Sequence, residues 1–248
     1  MKLRTFITLL IIGASISMTM AQKANHFEAG LQGGFGPIFI VNQNNYGLRE
    51  MDYELKYGAA FNLQLGYNFT ENIGLFTEIG KQAMGQKYTD TWENFDVARD
   101  IDMSYLNIPL LFKYSYGESR ARFRLLVGPQ LAFLSKAEQT YTVNGMEIEG
   151  QFELENKDDE TFDVGAKDIT DRFNSMDIGV VLDLGADIFL MENILYLSAA
   201  ARLNYGFTDI NASAFQLNNI DGNYDPSHNA GGVFMIGIHY IIAGKAGE

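Results

Sequence analysis

Apolar and polar side chains alternate with period two along much of this chain, and that pattern predicts its strands. From Leu55 to Phe69 one parity reads Leu55, Tyr57, Ala59, Phe61, Leu63, Leu65, Tyr67 and Phe69; the other reads Lys56, Gly58, Ala60, Asn62, Gln64, Gly66 and Asn68. Successive strand residues point to opposite faces, so each run has one apolar face and one polar face. Eight such segments are predicted, at about 26–40, 54–69, 73–88, 101–116, 121–139, 176–190, 194–208 and 230–242. Helical spacing fits none of them.

The connections alternate between short and long. Thr70–Asn72, Gly117–Arg120 and Met191–Asn193 read as tight turns, whereas 41–53, 89–100, 140–175 and 209–229 read as loops of roughly 13, 12, 36 and 21 residues. All short turns then fall at one end of the sheet and all long loops at the other. An even number of strands with this layout predicts an all-β fold: an eight-stranded antiparallel up-and-down transmembrane barrel with short periplasmic turns and long extracellular loops.

A soluble barrel would turn its apolar parity inward, and a membrane barrel turns it out to lipid. Glycines crowd the polar parity, as a narrow interior filled by charged side chains requires. Aromatics sit toward both strand ends of the apolar parity: Tyr67, Phe69, Tyr114, Tyr116, Phe123 and Tyr240 at the short-turn end, with Tyr57, Phe133, Tyr205 and Phe207 toward the loops. Two girdles of this kind mark the two interfaces of a bilayer. Lys81 breaks the apolar parity; either it snorkels at the outer interface or a bulge returns it to the lumen.

The first residues fit an exported protein. Lys2 and Arg4 precede the largely apolar Thr5–Met18 and the small-x-small site Thr19-Met20-Ala21, so 1–21 reads as a signal peptide and 22–248 as one barrel domain. Zero cysteines mean that no disulfide holds the fold. The formal charge of −13, which becomes −15 without Lys2 and Arg4, argues against nucleic acid as a partner.

Eight strands enclose a bore that side chains fill. The inward parity supplies Glu28, Glu78, Lys113, Arg122, Arg124, Asp183, Asp187 and Arg202. Counted from the turns, Lys113 falls opposite Arg124 with Arg122 below, and these cations call for Glu78, Asp183 and Asp187. Asp183 also neighbours Arg202. Buried charges must pair. The expectation is a lumen ion-pair network of Glu78, Lys113, Arg122, Arg124, Asp183, Asp187 and Arg202, acting as a structural plug or as a gated ion path.

Enzymatic chemistry has little to work with. The histidines are His26, His228 and His239, and Ser227-His228 lies in a loop without strand geometry. Asp221, Asn223 and Asp225 are spaced as in calcium loops but lack the distant bidentate glutamate. No catalytic residue, cofactor or metal is expected. Residues 142–175 carry ten acids against Lys157, Lys167 and Arg172. Such a face is solvated, or meets lipopolysaccharide through divalent ions, a partner protein or a host surface.

The segments YLNIPLLFKYSYG (105–117), LVGPQLAFL (126–134), DIGVVLDLGADI (177–188) and AARLNYGFTDI (200–210), with TEIGKQAMGQKY (77–88), resemble the PorT-like outer-membrane barrels of Bacteroidota. The resemblance covers nearly all of 22–248. It implies an eight-stranded barrel in the outer membrane; the family's namesake is associated with protein secretion and gliding, and no catalytic residues carry over. The chain departs from the usual aromatic ending, since IIAGKAGE follows Tyr240. Together these readings predict a monomeric, non-enzymatic outer-membrane barrel with a closed, charge-filled lumen and a structural, adhesion or secretion-associated role. A narrow pore is the second reading and a lipid-modifying enzyme the third. The expected partners are outer-membrane lipid, lipopolysaccharide, and secretion or surface proteins.

Overall fold

A computed structural model describes residues 25–117, 120–191 and 194–242. The segment read as a signal peptide, the residues after Ile242 and parts of two short turns (118, 119, 192 and 193) lie outside the described residues. The strands are β1 (His26–Val41), β2 (Asp52–Glu54), β3 (Lys56–Asn68), β4 (Ile73–Trp92), β5 (Phe95–Tyr116), β6 (Ala121–Val143), β7 (Met146–Glu147), β8 (Glu153–Glu155), β9 (Thr161–Asp163), β10 (Met176–Met191), β11 (Leu195–Gly206) and β12 (His228–Ile242). The eight long ones pair antiparallel in the ring β1-β3-β4-β5-β6-β10-β11-β12, and β12 closes back onto β1 with Phe27 opposite Ile242. Closure leaves the ring without a free edge, the condition for crossing lipid with strands.

The two parities separate as the alternation predicts. Phe61 and Leu65 are 60% and 51% exposed on the outer face, while Asn62 and Gln64 between them are buried in the lumen. Lys81 faces outward on an uninterrupted β3–β4 register, so no bulge returns it to the lumen. Glycines open the space that the interior needs. A Cβ on Gly30 would lie 2.1 Å from the His239 ring, and one on Gly66 would lie 2.1 Å from the Phe76 ring. Both aromatic girdles stand on the outer face, with Phe35 stacked on Tyr57 at 5.5 Å near the loops and Tyr67 against Phe69 at 5.1 Å near the turns.

Two of the predicted loops are shorter than the pattern implies. The 89–100 segment is sheet: β4 and β5 run on until Trp92 pairs with Phe95, and Glu93, with φ of 57°, helps turn the chain. β6 likewise continues to Val143, where Asn144 and Gly145, both at positive φ (50° and 75°), make the tight turn into β7. The 22 residues of β5 span about 73 Å at ~3.3 Å each. Tilted by ~40°, they rise roughly 55 Å, about twice the apolar band of a bilayer. β4, β5 and β6 therefore stand well above the membrane, whereas the 12-residue β11 only spans it.

On β6 the register shifts between Ser104–Lys136 and Tyr105–Leu134, so Ser135 is bulged out of the ladder. Below it Arg122, Arg124 and Leu126 point inward. Above it the inward set becomes Ala137, Gln139 and Tyr141.

Candidate functional site

The predicted lumen charges meet in one connected belt. Arg202 on β11 faces Asp183 directly across the β10–β11 pairing and reaches Glu78 across the bore. Its guanidinium lies 2.6 Å from Glu78 and 2.9 Å from Asp183. Asp183 also takes Arg124 at 3.0 Å, and Arg124 approaches Asp187 at 3.5 Å. Asp187 in turn faces Lys113 at 3.5 Å, and Lys113 reaches Glu28 at 3.1 Å. Arg122 stands opposite Asp187 on the β6–β10 register, with its guanidinium 5.1 Å over the Phe189 ring. All of these groups are buried. Neutral donors complete the set: Gln64 Nε2 donates to Glu78 at 2.7 Å, and Tyr196 Oη donates to Glu28 at 2.7 Å.

Two features of this belt differ from the sequence expectation. Lys113 was expected opposite Arg124, yet the register pairs Lys113 with Leu126 and Arg124 with Ser115. The start of β6 pairs with β10: Arg120 Nε donates to the Phe189 carbonyl at 2.7 Å, and the Arg120 carbonyl accepts from the Phe189 amide at 2.9 Å. Glu78 was assigned to the β5–β6 cations and instead serves Arg202. The missing counter-charge is Glu28, which has the inward parity in the sequence and takes His26 as a further partner at 2.9 Å.

A serine–histidine contact also lies in the bore. Ser198 Oγ is 2.8 Å from His239 Nε2, and the imidazole stacks on Tyr196 at 4.5 Å. Its other nitrogen abuts Gly30 rather than a carboxylate, and both side chains are at most 2% exposed. The loop pair Ser227-His228 is split: Ser227 Oγ accepts from Asn211 at 3.0 Å, and His228 Nδ1 meets the Thr208 carbonyl at 3.1 Å. In the loop of Asp221 and Asn223, Asn219 Oδ1 accepts from both of their backbone amides, at 3.1 and 3.0 Å.

Above the membrane the interior changes character. Ile40, Met51, Tyr88, Ile101, Ile148, Ile169, Phe173 and Ile210 belong to one buried apolar cluster built from the projecting strands and the loops. Tyr46, Phe162 and Phe215 come from three different loops and pack edge to face at 5.1–6.0 Å. The buried Arg172 guanidinium lies over all three rings, at 5.6, 5.0 and 5.9 Å, and donates to the Asp163 carbonyl. Arg99 on β5 stacks on Tyr46 at 5.2 Å and donates to Gln139 at 2.8 Å. Asn174 Nδ2 ties the third loop to the fourth through the Asp209 and Asn211 carbonyls, at 2.8 and 2.9 Å. Burial and the Asp209 carboxylate, which accepts the Tyr224 hydroxyl, push the Tyr224 phenol above its ordinary range. Two hydrogen bonds from Thr170 hold the exposed Asp168 below the usual carboxylate range. Sequence reasoning missed this cap, for Tyr46, Phe162, Arg172 and Phe215, which close it, lie in the connections between the long strands and follow no period.

A family model described as "Outer membrane protein beta-barrel domain" matches residues 20–212. Among solved structures the chain is similar to the outer membrane protein OprG of Pseudomonas aeruginosa, at 14% identity and a TM-score of 0.43, covering 92% of this chain and 100% of that one. It is also similar to Neisserial surface protein A, at 12% identity and a TM-score of 0.42, covering 86% and 96%. A third is Ail, the attachment invasion locus protein of Yersinia pestis, at 13% identity and a TM-score of 0.39, covering 87% and 98%. No curated protein matches the chain. The chain belongs to the outer-membrane β-barrel family, and it resides in the outer membrane.

Proposed function

We propose that this outer-membrane barrel is a non-enzymatic, monomeric surface protein whose lumen is closed and charge-filled, with a structural, adhesion or secretion-associated role. In this reading residues 1–21 direct export, 22–248 form the single barrel domain, and the chain is of the PorT-like kind found in Bacteroidota. The observation that carries it is two seals in series: the belt from Glu28 to Glu78 at membrane level, and the apolar cap around Ile169 and Arg172 above it. A path for solutes would have to cross both. The Ser198–His239 pair lacks an orienting carboxylate and a route for substrate, which supports a non-enzymatic role. The acidic outer loops face the medium, where they suit divalent-ion contact with lipopolysaccharide or docking of a secretion or surface partner. The narrow bore and paired charges predict negligible conductance in planar bilayers. Steady ohmic openings of the wild-type protein would overturn the closed lumen and favour a pore. Co-purification from native outer membrane tests the partner role, and recovery of the barrel with lipid alone would refute a secretion-associated assembly.

A further inference from the structure

The outer wall of β4, β5 and β6 gathers cations and hydroxyls at the level where lipid gives way to water. Lys81 is exposed on the lipid face, eight residues above the start of β4 at Ile73. At ~3.3 Å per residue and a tilt of ~40°, that is roughly 20 Å up an apolar band of ~25 Å. Its row is otherwise large and apolar: Phe61 on β3, Leu106 on β5 and, beyond Leu106, Phe133 on β6. The nearby carboxylates are held by other lysines. Lys56 lies 2.8 Å from Asp102, Lys87 2.8 Å from Glu54 and Lys136 2.8 Å from Glu138, and among the described residues no carboxylate pairs with Lys81. A cation so placed extends its ammonium up to the headgroups.

The next row up is small and polar. Ala83 pairs with Ser104, and Ser104 with Lys136. The bulge at Ser135 puts two consecutive side chains, Ser135 and Lys136, on the exposed outer face; unbroken alternation would have turned Lys136 inward. Two strand spacings of ~4.8 Å and two residues of ~3.3 Å separate Lys81 from Lys136, roughly 12 Å between their Cα atoms. Both side chains are long enough to converge on one group seated over Ala83 and Ser104. Two ammonium groups and the neighbouring hydroxyls suit an anion with several acceptor oxygens. Asp102 and Glu138 face each other one row higher, so an anion reaches this place from the lipid side. We propose that this wall binds the phosphate headgroup of an outer-leaflet lipid, with the phosphate between Lys81 and Lys136 and the acyl chains along Phe61 and Leu106. The site rests on the outward placement of the loops proposed above, but on neither the closed lumen nor a partner protein.

Native mass spectrometry of the refolded barrel in detergent counts the lipids bound. The protein is titrated with phosphatidic acid, which presents a phosphate monoester, and with the diacylglycerol that lacks it. Saturable binding of phosphatidic acid is expected, with no diacylglycerol bound at the same concentrations. Lys81→Gln and Lys136→Gln should each weaken it about fivefold, and the two together about twenty-five-fold. Lys87→Gln, higher on β4 and tied to Glu54, should leave binding unchanged. The variants should keep the heat-modifiable band, because Lys81 and Lys136 are exposed. Where Lys81→Gln does not fold, Lys136→Gln above the lipid band makes the same test. Equal binding by wild type and both single variants would overturn the site, as would a loss of the same size from Lys87→Gln. Displacement of the lipid by an excess of inorganic phosphate would reveal a site for free anions and overturn the lipid assignment. Each of these failures would leave the closed lumen untouched, since that is judged by conductance.

Discussion

The membrane-level lumen and the outer cap solve the same problem, filling the inside of a sheet, with opposite materials. In the lumen the charges are inside, from Glu28 to Glu78, and Phe61 and Leu65 face outward. In the cap Ile101, Ile148 and Ile169 are inside and the acids face outward. The solvent decides. Lipid accepts no charge, so whatever polar character the chain carries at that level must be collected inside and paired. Above the interface water surrounds the sheet, and ordinary burial of apolar area becomes the driving force again.

The two regions should therefore fail differently. The largest effect is expected for Asp183→Asn, which deprives both Arg124 and Arg202 of a partner. Leaving such charges uncompensated costs about 3–5 kcal/mol, seen as a lower denaturant midpoint for the whole barrel in detergent. An unchanged midpoint would mean that the belt is not what holds the lumen. Ile169→Ala, at a fully buried cap position, should cost about 2–5 kcal/mol. The loss should be local, with faster proteolysis of residues 144–175 while the unboiled band in detergent gels keeps its mobility. If the barrel melted with the cap, the two regions would be one cooperative unit.

Leu63→Arg places a cation on the lipid face and should cost about 2–4 kcal/mol near mid-bilayer, read as impaired assembly. The buried neighbour Gln64 faces Glu78, so Gln64→Arg should be milder; equal tolerance would undo the assignment of the faces. The smallest effect is in the cap hydrogen bonds. Tyr53, Tyr88, Tyr141 and Tyr224 are all shifted upward, chiefly by burial. The unfolded chain loses these protons first. The stability they contribute is thus complete below the unfolded phenol pKa of about 10 and drains away as pH rises above it. Proteolysis of the cap should accelerate there. Tyr224→Phe should reduce the alkaline sensitivity, at a cost of about 1 kcal/mol at neutral pH.

What the sequence reveals follows the same division. The eight strands are legible because lipid on one face and a polar bore on the other force strict alternation. The lumen set was legible for the same reason, as inward parity names Arg124 or Asp183 without any structure. The pairing was only partly legible. Strand order gives neighbours, but the stagger of a closed ring decides which layer faces which across the bore, and Ala121 and Arg122 pair with β10 before β6 takes up β5 at Phe123. The rise of β4 and β5 through 89–100 was not legible, because Thr89, Asp90 and Thr91 meet water and no longer alternate with apolar residues. The bulge at Ser135 leaves no mark in composition either. The Tyr46–Phe162–Phe215 triad unites residues far apart in the chain, which no local pattern reports.

That triad also bears on how the outer surface can diverge. Loops of surface barrels are usually free to drift independently, each accepting insertions without consulting the others. Here one arginine is a keystone resting on three loops, so a change at any of the three rings alters the seat of the other two. Drift is then channelled to positions outside the arch, such as Glu149, Asp159 and Asp221, which are exposed. The face seen from outside can change its charge and its details from one relative to the next, while the arch beneath it is inherited whole or replaced whole.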